Sequence, residues 1–386
     1  MTGTTIEAFI IFKQANGAGH LARCSTIATA LRSISHVTMF YGGKSIEGYT
    51  APSGVEFVQL PVIRWDLTDA VPVPDDPGYT TDEIERMTSA LLVDSYRRIR
   101  PRIVIVEFFP FSPGRFGKTL NELFNAINKE QERPISICSI RAYPRSPRLS
   151  ATDADSAGMI NQQLRKNFSC VLHHADPKLF PLTSLGPYTN SALSGISVRQ
   201  TGFLRRPLIR TDHDRPSNGL LLTDGGGSAF GARLLKRWIK AARAGSPELF
   251  PVNVVCGPLM DADDRKSLRA EQGANIVVHD WVANMDELIS SSRAVVCMGG
   301  YNSLVEALSL KKPVLAFPHP EMGDQAFQVN AFHAQGMLLK GDPSQSDYEM
   351  TALMNELLDF RPRHPIDYNG AERSVEIVKT LLDGIA

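Results

Sequence analysis

The sequence predicts an α/β protein built from two doubly wound, Rossmann-like domains with parallel sheets facing a cleft. Three observations carry this. Short apolar runs alternate with helical periodicity along the whole chain. Many of these runs are near-continuous Val/Ile/Leu rather than alternating, as expected where helices cover both faces of a strand. And 386 residues exceed one ordinary hydrophobic core.

In the first half, strands are expected at Ile6–Phe12, His36–Phe40, Ile103–Phe108, Ile135–Ile140 and Cys170–His173. Helical spacing marks Leu21–Ser33, Ile84–Ile99 and Lys118–Lys129. The stretch Thr201–Gly219 holds Pro207 and Pro216, many charges and no apolar period, and reads as a linker. Beyond it, strands are expected at Gly219–Thr223, Val252–Cys256, Ile276–His279, Ala294–Met298 and Val314–Phe317, with a helix over Ala229–Ala244. Residues 64–80 and 143–160 are rich in Pro, Asp and Ser and read as long loops. The expected division is 1–207 and 208–369.

Composition narrows the function classes. Lys+Arg and Asp+Glu both number 41, so no net charge favours a polyanion, and no nucleic acid partner is expected. The five cysteines show no C-x-x-C spacing and several lie in apolar runs, which argues against zinc and redox pairs and fits a cytoplasmic setting. The apolar stretch after Thr5 is cut short by Lys13 and reads as a strand, not a signal peptide; no membrane contact is expected.

Three strand-to-helix turns are glycine-rich: Asn16-Gly17-Ala18-Gly19-His20, Gly225-Gly226-Gly227-Ser228 and Gly299-Gly300-Tyr301-Asn302-Ser303. Glycine lets a backbone approach a ligand, and a helix N-terminus presents unpaired N–H groups. Each turn is therefore either a plain βα turn or an anion cradle. No G-x-x-x-x-G-K-[ST] occurs, and the first turn lacks G-x-G-x-x-G spacing, which disfavours P-loop and nicotinamide enzymes. Glu306 falls about one turn into the helix after Gly300, where a carboxylate reads either as a solvated acid or as an acceptor for both hydroxyls of a ribose. Trp281, directly after a strand, either packs or stacks a nucleobase, with the adjoining main chain at Val282 reading the base edge.

The segments GAGHLARCSTIATAL, VRQTGFLRRP and MGGYNSLVEALSLKKPVLAFPHPEMGDQAFQVNAF resemble the two-domain GT-B glycosyltransferases, and within them the MurG-like family. Two further segments, around Glu107 and Arg141, resemble predicted glycosyltransferases related to that family. The resemblance implies a nucleotide diphospho-sugar donor, with UDP as the default. Glu306 would take the ribose. Gly299, Gly300, Tyr301, Asn302 and Ser303 would surround the diphosphate with Gly226, Gly227 and Ser228. Asp324 and Gln325 would bond the sugar hydroxyls. The last helix, about 370–386, would pack back on the first domain. Ala18 interrupts the family's paired glycines, and Asp324 replaces its Glu.

Transfer also needs a base for the acceptor hydroxyl. His20 is the first candidate, with helix capping or diphosphate contact as the other reading; Glu107, closing a strand, is a rival base or an orienting acid; Asp176 is a weaker one. His173, His174 and His319 stand near strand ends. Gly17, Gly19 and Arg141 would lie on the acceptor side, Arg141 binding an anionic acceptor or belonging to a solvated loop. No D-x-D motif is placed to hold a metal, and no cofactor is expected. The expectation is an inverting, metal-independent glycosyltransferase acting on an acceptor hydroxyl, with a nucleotide-sugar hydrolase, His20 activating water, as the alternative.

Overall fold

The structure is a computed structural model and describes residues 6–14, 18–66, 71–111, 114–143, 154–185, 195–208, 217–282, 284–363 and 366–384. The first half contains β1 (Glu7–Lys13), α1 (Gly19–Leu31), β2 (His36–Gly42), β3 (Val55–Gln59), β4 (Ile63–Asp66), β5 (Val71–Pro74), α2 (Thr81–Ile99), β6 (Ile103–Glu107), α3 (Gly114–Ile127), β7 (Ile135–Arg141), α4 (Ala154–Asn167), β8 (Cys170–His174) and β9 (Ser197–Gln200). The second contains β10 (Leu220–Thr223), α5 (Ala229–Ala244), β11 (Val252–Val255), α6 (Ala262–Arg269), β12 (Ile276–His279), α7 (Met285–Ser291), β13 (Ala294–Met298), α8 (Tyr301–Ser309), β14 (Val314–Phe317), α9 (Gly323–Ala334), β15 (Leu339–Lys340), α10 (Asp347–Asp359) and α11 (Gly370–Asp383).

Two parallel sheets result, with strand orders β3-β2-β1-β6-β7-β8-β9 and β12-β11-β10-β13-β14-β15. β1, β6, β10 and β13 are apolar on both sides because helices cover both faces; Phe9, Ile10, Ile11, Val104 and Ile105 are all fully buried. On one face of the first sheet Phe9, Val104, Leu120 and Phe124 share a core; on the other, Ile10, Leu21 and Ile27 pack with Val375 and Val378 of α11. The second sheet is anchored by Trp238 of α5, wholly buried with its ring 5.2 Å from Phe317.

A further core joins the halves. Ala142, Ala175, Phe180 and Phe203 pack with Val295, Tyr301, Leu304, Val329 and Phe332. Residues 203–206 are fastened one after another: Phe203 N–H to Asp367, Leu204 N–H to the Tyr301 hydroxyl, Arg205 to Asp286 and Ser309, Arg206 to Glu306.

Two loop readings are corrected. Residues 64–80 contain most of an antiparallel strand pair, β4 with β5, and end on Thr80, the N-cap whose capping box with Glu83 starts α2. Proline is tolerated there because the pair is a two-stranded edge outside the main sheets. Residues 154–160 of the other stretch begin α4, and 144–153 lie outside the described residues.

Candidate functional site

In each sheet the strand order reverses once, between β1 and β6 in the first and between β10 and β13 in the second. Doubly wound sheets bind ligands at such points, outside the carboxyl ends of the strands, where consecutive helices diverge and leave a crevice. The residues singled out in the sequence gather at these two places.

At the first, α1 leaves β1 and presents His20 in its opening turn, while β6 ends on Glu107. The His20 Nδ1–H donates to Glu107 Oε2, and Arg23, one turn along α1, donates from Nε to Oε1 at 2.9 Å and from Nη2 to the same oxygen. Glu107 and Arg23 side chains are 1% and 3% exposed, while His20 is 21% exposed. Burial alone raises a carboxyl's pKa, yet the Arg23 and His20 charges and bonds hold Glu107 down at about 2. Burial lowers His20; Glu107 pulls it up, Arg23 and Arg141 push it down, and it stays below its ordinary value. The imidazole is thus neutral near pH 7, with its proton on Nδ1 and a lone pair on Nε2. Phe108 follows Glu107 at φ 63°, a strained conformation for a bulky residue. Its ring stands 5.9 Å from His20, with the Arg141 guanidinium 5.1 Å from its centre.

At the second point the turns after β10 and β13 lie side by side: a Cβ on Gly225 would meet Ser303 Oγ at 3.0 Å. α8 starts on Gly300, which has no side chain to cap it, so the first amides of that helix lack both a helical carbonyl and a cap. Nothing would meet a Cβ at Gly300 or Gly323 within 4 Å, so both turns border open space. The Gly227 and Ser228 amides are already taken: both donate at 3.0 Å to Asp224 Oδ2, and the Ser228 hydroxyl caps α5 by accepting from Gly231 N–H. Asp224 is buried, and burial lifts its pKa to about 6 against the pull of these amides. Gly226 shares this turn, its carbonyl bonded to Leu259 N–H.

The remaining residues divide clearly. Glu306, 13% exposed, accepts from Arg206 at 2.7 Å. Asp324, in the first turn of α9, pairs with Arg141 from the first half at 3.1 Å. Gln325 turns back, its Oε1 accepting from His319 N–H. Asn302 Nδ2 donates to the Gly19 carbonyl at 3.0 Å, so the starts of α1 and α8 touch across the cleft. Met298 O accepts from Gly300 N–H, and Gly299 packs closely on Val329. The Tyr301 phenol is directed into the core, bonded to Leu204 N–H and the His174 carbonyl, leaving its main chain alone at the turn. Trp281 is 41% exposed and borders Gly48 of the first half, while Val282 packs partly into the shared core. Gly17 lies outside the described residues.

His173 and His174 are buried and bonded, the first to Ala142 and Gln200, the second to Ser139 and Thr201. Burial lowers them to about 4 and about 3, so they act as framework. Asp176 holds the Lys178 and Asp367 amides and is likewise structural. Sequence reasoning passed over Arg23, Asp224 and Arg206. The signal for Arg23 was an arginine inside an apolar helix three residues after His20; for Asp224, an acid between a strand and three glycines.

The glycosyltransferase family 28 C-terminal domain matches residues 225–372. An uncharacterised glycosyltransferase of Methanopyrus kandleri is 25% identical over 184 residues, 46% of this chain and 50% of that protein. The UDP-N-acetylglucosamine–N-acetylmuramyl-(pentapeptide) pyrophosphoryl-undecaprenol N-acetylglucosamine transferase of Parabacteroides distasonis is 27% identical over 224 residues, 54% of this chain and 57% of that one. The chain thus spans about half the length of these curated relatives. The crystal structure of Acinetobacter baumannii MurG superposes with a TM-score of 0.54 and 15% identity, covering 96% of this chain and 99% of that one. Two facing parallel-sheet halves give this chain the GT-B fold, and its second half carries a glycosyltransferase family 28 C-terminal domain.

Proposed function

We propose that the chain is an inverting glycosyltransferase that moves a sugar from a nucleotide diphospho-sugar to an acceptor hydroxyl without a metal. Residues 208–369 take the donor, and residues 1–207 with the last helix take the acceptor. The observation that carries this reading is the contact of Asn302 with Gly19, which sets the bare helix start of α8 against the helix start bearing His20.

In this reading His20 Nε2 accepts the acceptor's proton as its oxygen attacks the anomeric carbon. The bond from that carbon to the diphosphate breaks on the opposite side, and the charge that develops on the leaving group meets the open amides and positive end of α8. Glu107 steadies the imidazolium that forms. Glu306 clasps the ribose after sharing or releasing Arg206, and Asp324, released by Arg141, bonds a sugar hydroxyl. Trp281 lies against the base. The Parabacteroides relative's name specifies a UDP-sugar, which supports UDP as the first donor to test.

A thermal-shift panel of UDP, dTDP, GDP and their sugar conjugates tests the donor half. One nucleotide should raise the melting temperature, and Glu306→Ala should abolish most of the rise. No response from the unaltered protein to any of them would remove the donor site. Free sugar released at full rate without an acceptor would identify hydrolysis instead.

A further inference from the structure

Arg23 is a permanent charge sealed between the two halves. It belongs to α1, grips Glu107 of β6 with two bonds, and has its guanidinium carbon 5.5 Å from the centre of the Tyr301 ring of α8. Its Nη2 also lies 3.1 Å from His20 Nδ1. A buried charge of this kind is costly unless its partners are fixed, and all three partners here belong to the candidate site or its joint.

We propose that Arg23 is the positioning residue that keeps His20 a neutral imidazole with Nε2 free, by occupying one oxygen of Glu107 and leaving only the other to Nδ1–H. The inference rests on the reading of His20 as the base, and the experiment separates the two.

The physical argument is one of competition. A buried carboxylate with His20 as its sole partner would draw a second proton onto the ring, because an ion pair is the cheapest way to keep both groups out of water. Arg23 supplies that counter-charge permanently, so the ring need not. The other groups facing this cluster do not replace it. Arg141 of β7 repels a proton on His20 but is committed to Asp324. Cys24 of α1 and Cys138 of β7 are buried thiols raised above their ordinary range, His174 of β8 is held neutral, and Tyr301 is raised. None of these carries a positive charge near pH 7 that could take the place of Arg23 against Glu107.

The test is a side-chain NMR titration of the ligand-free full chain with labelled histidine, the His20 signal assigned through His20→Gln. Alongside it, pH–rate profiles follow UDP release from UDP-N-acetylglucosamine. Arg23→Gln should raise the His20 titration by about one unit or more. Arg23→Lys should fall between it and the unaltered protein. Arg23→Gln with Glu107→Gln should bring the titration back down, as expected for directly coupled groups. A His20 titration unmoved or lowered in folded Arg23→Gln overturns the proposal. If only Arg23→Lys folds, a titration coincident with the unaltered protein overturns it. In the kinetics the acid limb should move up by the same amount as the NMR titration, with kcat at pH 7 falling as the neutral fraction of the imidazole falls, no more than about threefold for the first unit, and regained in alkali. A raised His20 titration with an unmoved acid limb would leave Arg23's hold on the imidazole established and remove His20 as the base.

Discussion

The two switch points have the same topology and opposite chemistry. At the first, the crevice is filled by ionisable side chains whose partners are fixed: His20, Glu107 and Arg23 bond one another. At the second, the crevice is walled by glycine, and the groups facing it are main-chain amides. A proton acceptor needs a tuned side chain, whereas a diphosphate needs many weak donors at close range, and only glycine lets the backbone come near enough. The difference extends to the buried acids. Glu107 is held at about 2 by an arginine, whereas Asp224, with only amides to bond, is pushed up to about 6.

The strongest way to break the comparison is His20→Ala. Turnover should fall by about a hundredfold or more, the scale of a lost general base, while nucleotide-induced stabilisation persists. Equal loss of both would mean that His20 serves the donor and that the two points share one task.

A glycine pair sharpens the second half of the comparison. A Cβ at Gly227, where φ is 89°, would come within 2.3 Å of Met260 N. Gly227→Ala should therefore cost about 2 kcal/mol or more in stability, read as a lower denaturation midpoint. Gly300→Ala meets nothing in the protein. Its melting temperature should hold while UDP affinity drops several-fold, because the new methyl stands where the ligand belongs. A stability loss at Gly300 equal to that at Gly227 would mean that the turn is only a turn.

The acids set opposite slopes of stability against pH. Glu107, depressed when folded, contributes stability above its ordinary 4.5 that is lost as pH falls toward about 2. Asp224, raised when folded, contributes stability below its ordinary 3.8 that is lost as pH rises through about 6. His173 and His174, lowered to about 4 and about 3 when folded, contribute stability that is lost as pH falls below their ordinary 6.5, and together they outweigh Asp224. Urea midpoints should therefore rise from pH 4 to 6.5, and Asp224→Asn should steepen that rise; an unaltered slope would mean that Asp224 does not titrate there.

The smallest effect belongs to the ion pair across the cleft. Arg141 and Asp324 are 21% and 10% exposed. Arg141→Ala should change stability by no more than about 1 kcal/mol, since water screens part of the attraction, while donor affinity rises modestly as Asp324 is freed. Weaker donor binding would show that Arg141 itself holds the ligand.

The covered strands were legible because two-sided burial writes an unbroken apolar run: Ala294–Met298 and Val314–Phe317 were read to the residue. The edge strands β3 and β9 were not, since VEFVQ and SVRQ alternate like exposed loops, and β15 has only two residues. The site divides in the same way. Glycine turns and His20 carry local signals. The pairing of Arg206 with Glu306 or Arg141 with Asp324 joins residues 100 or more apart in sequence, and no spacing rule reaches that far.

The aromatic joint makes the molecule a pair of pliers with its rivet at one end. Tyr301 ties the His174 carbonyl to the second half, and Phe203 bridges Phe180 and Phe332. Trp281, just beyond β12 and three strands along its sheet from β13, meets Gly48, which lies beyond β2. Any rotation about this rivet would widen the gap most at these lips and least at the imidazole, which lies nearer the pin.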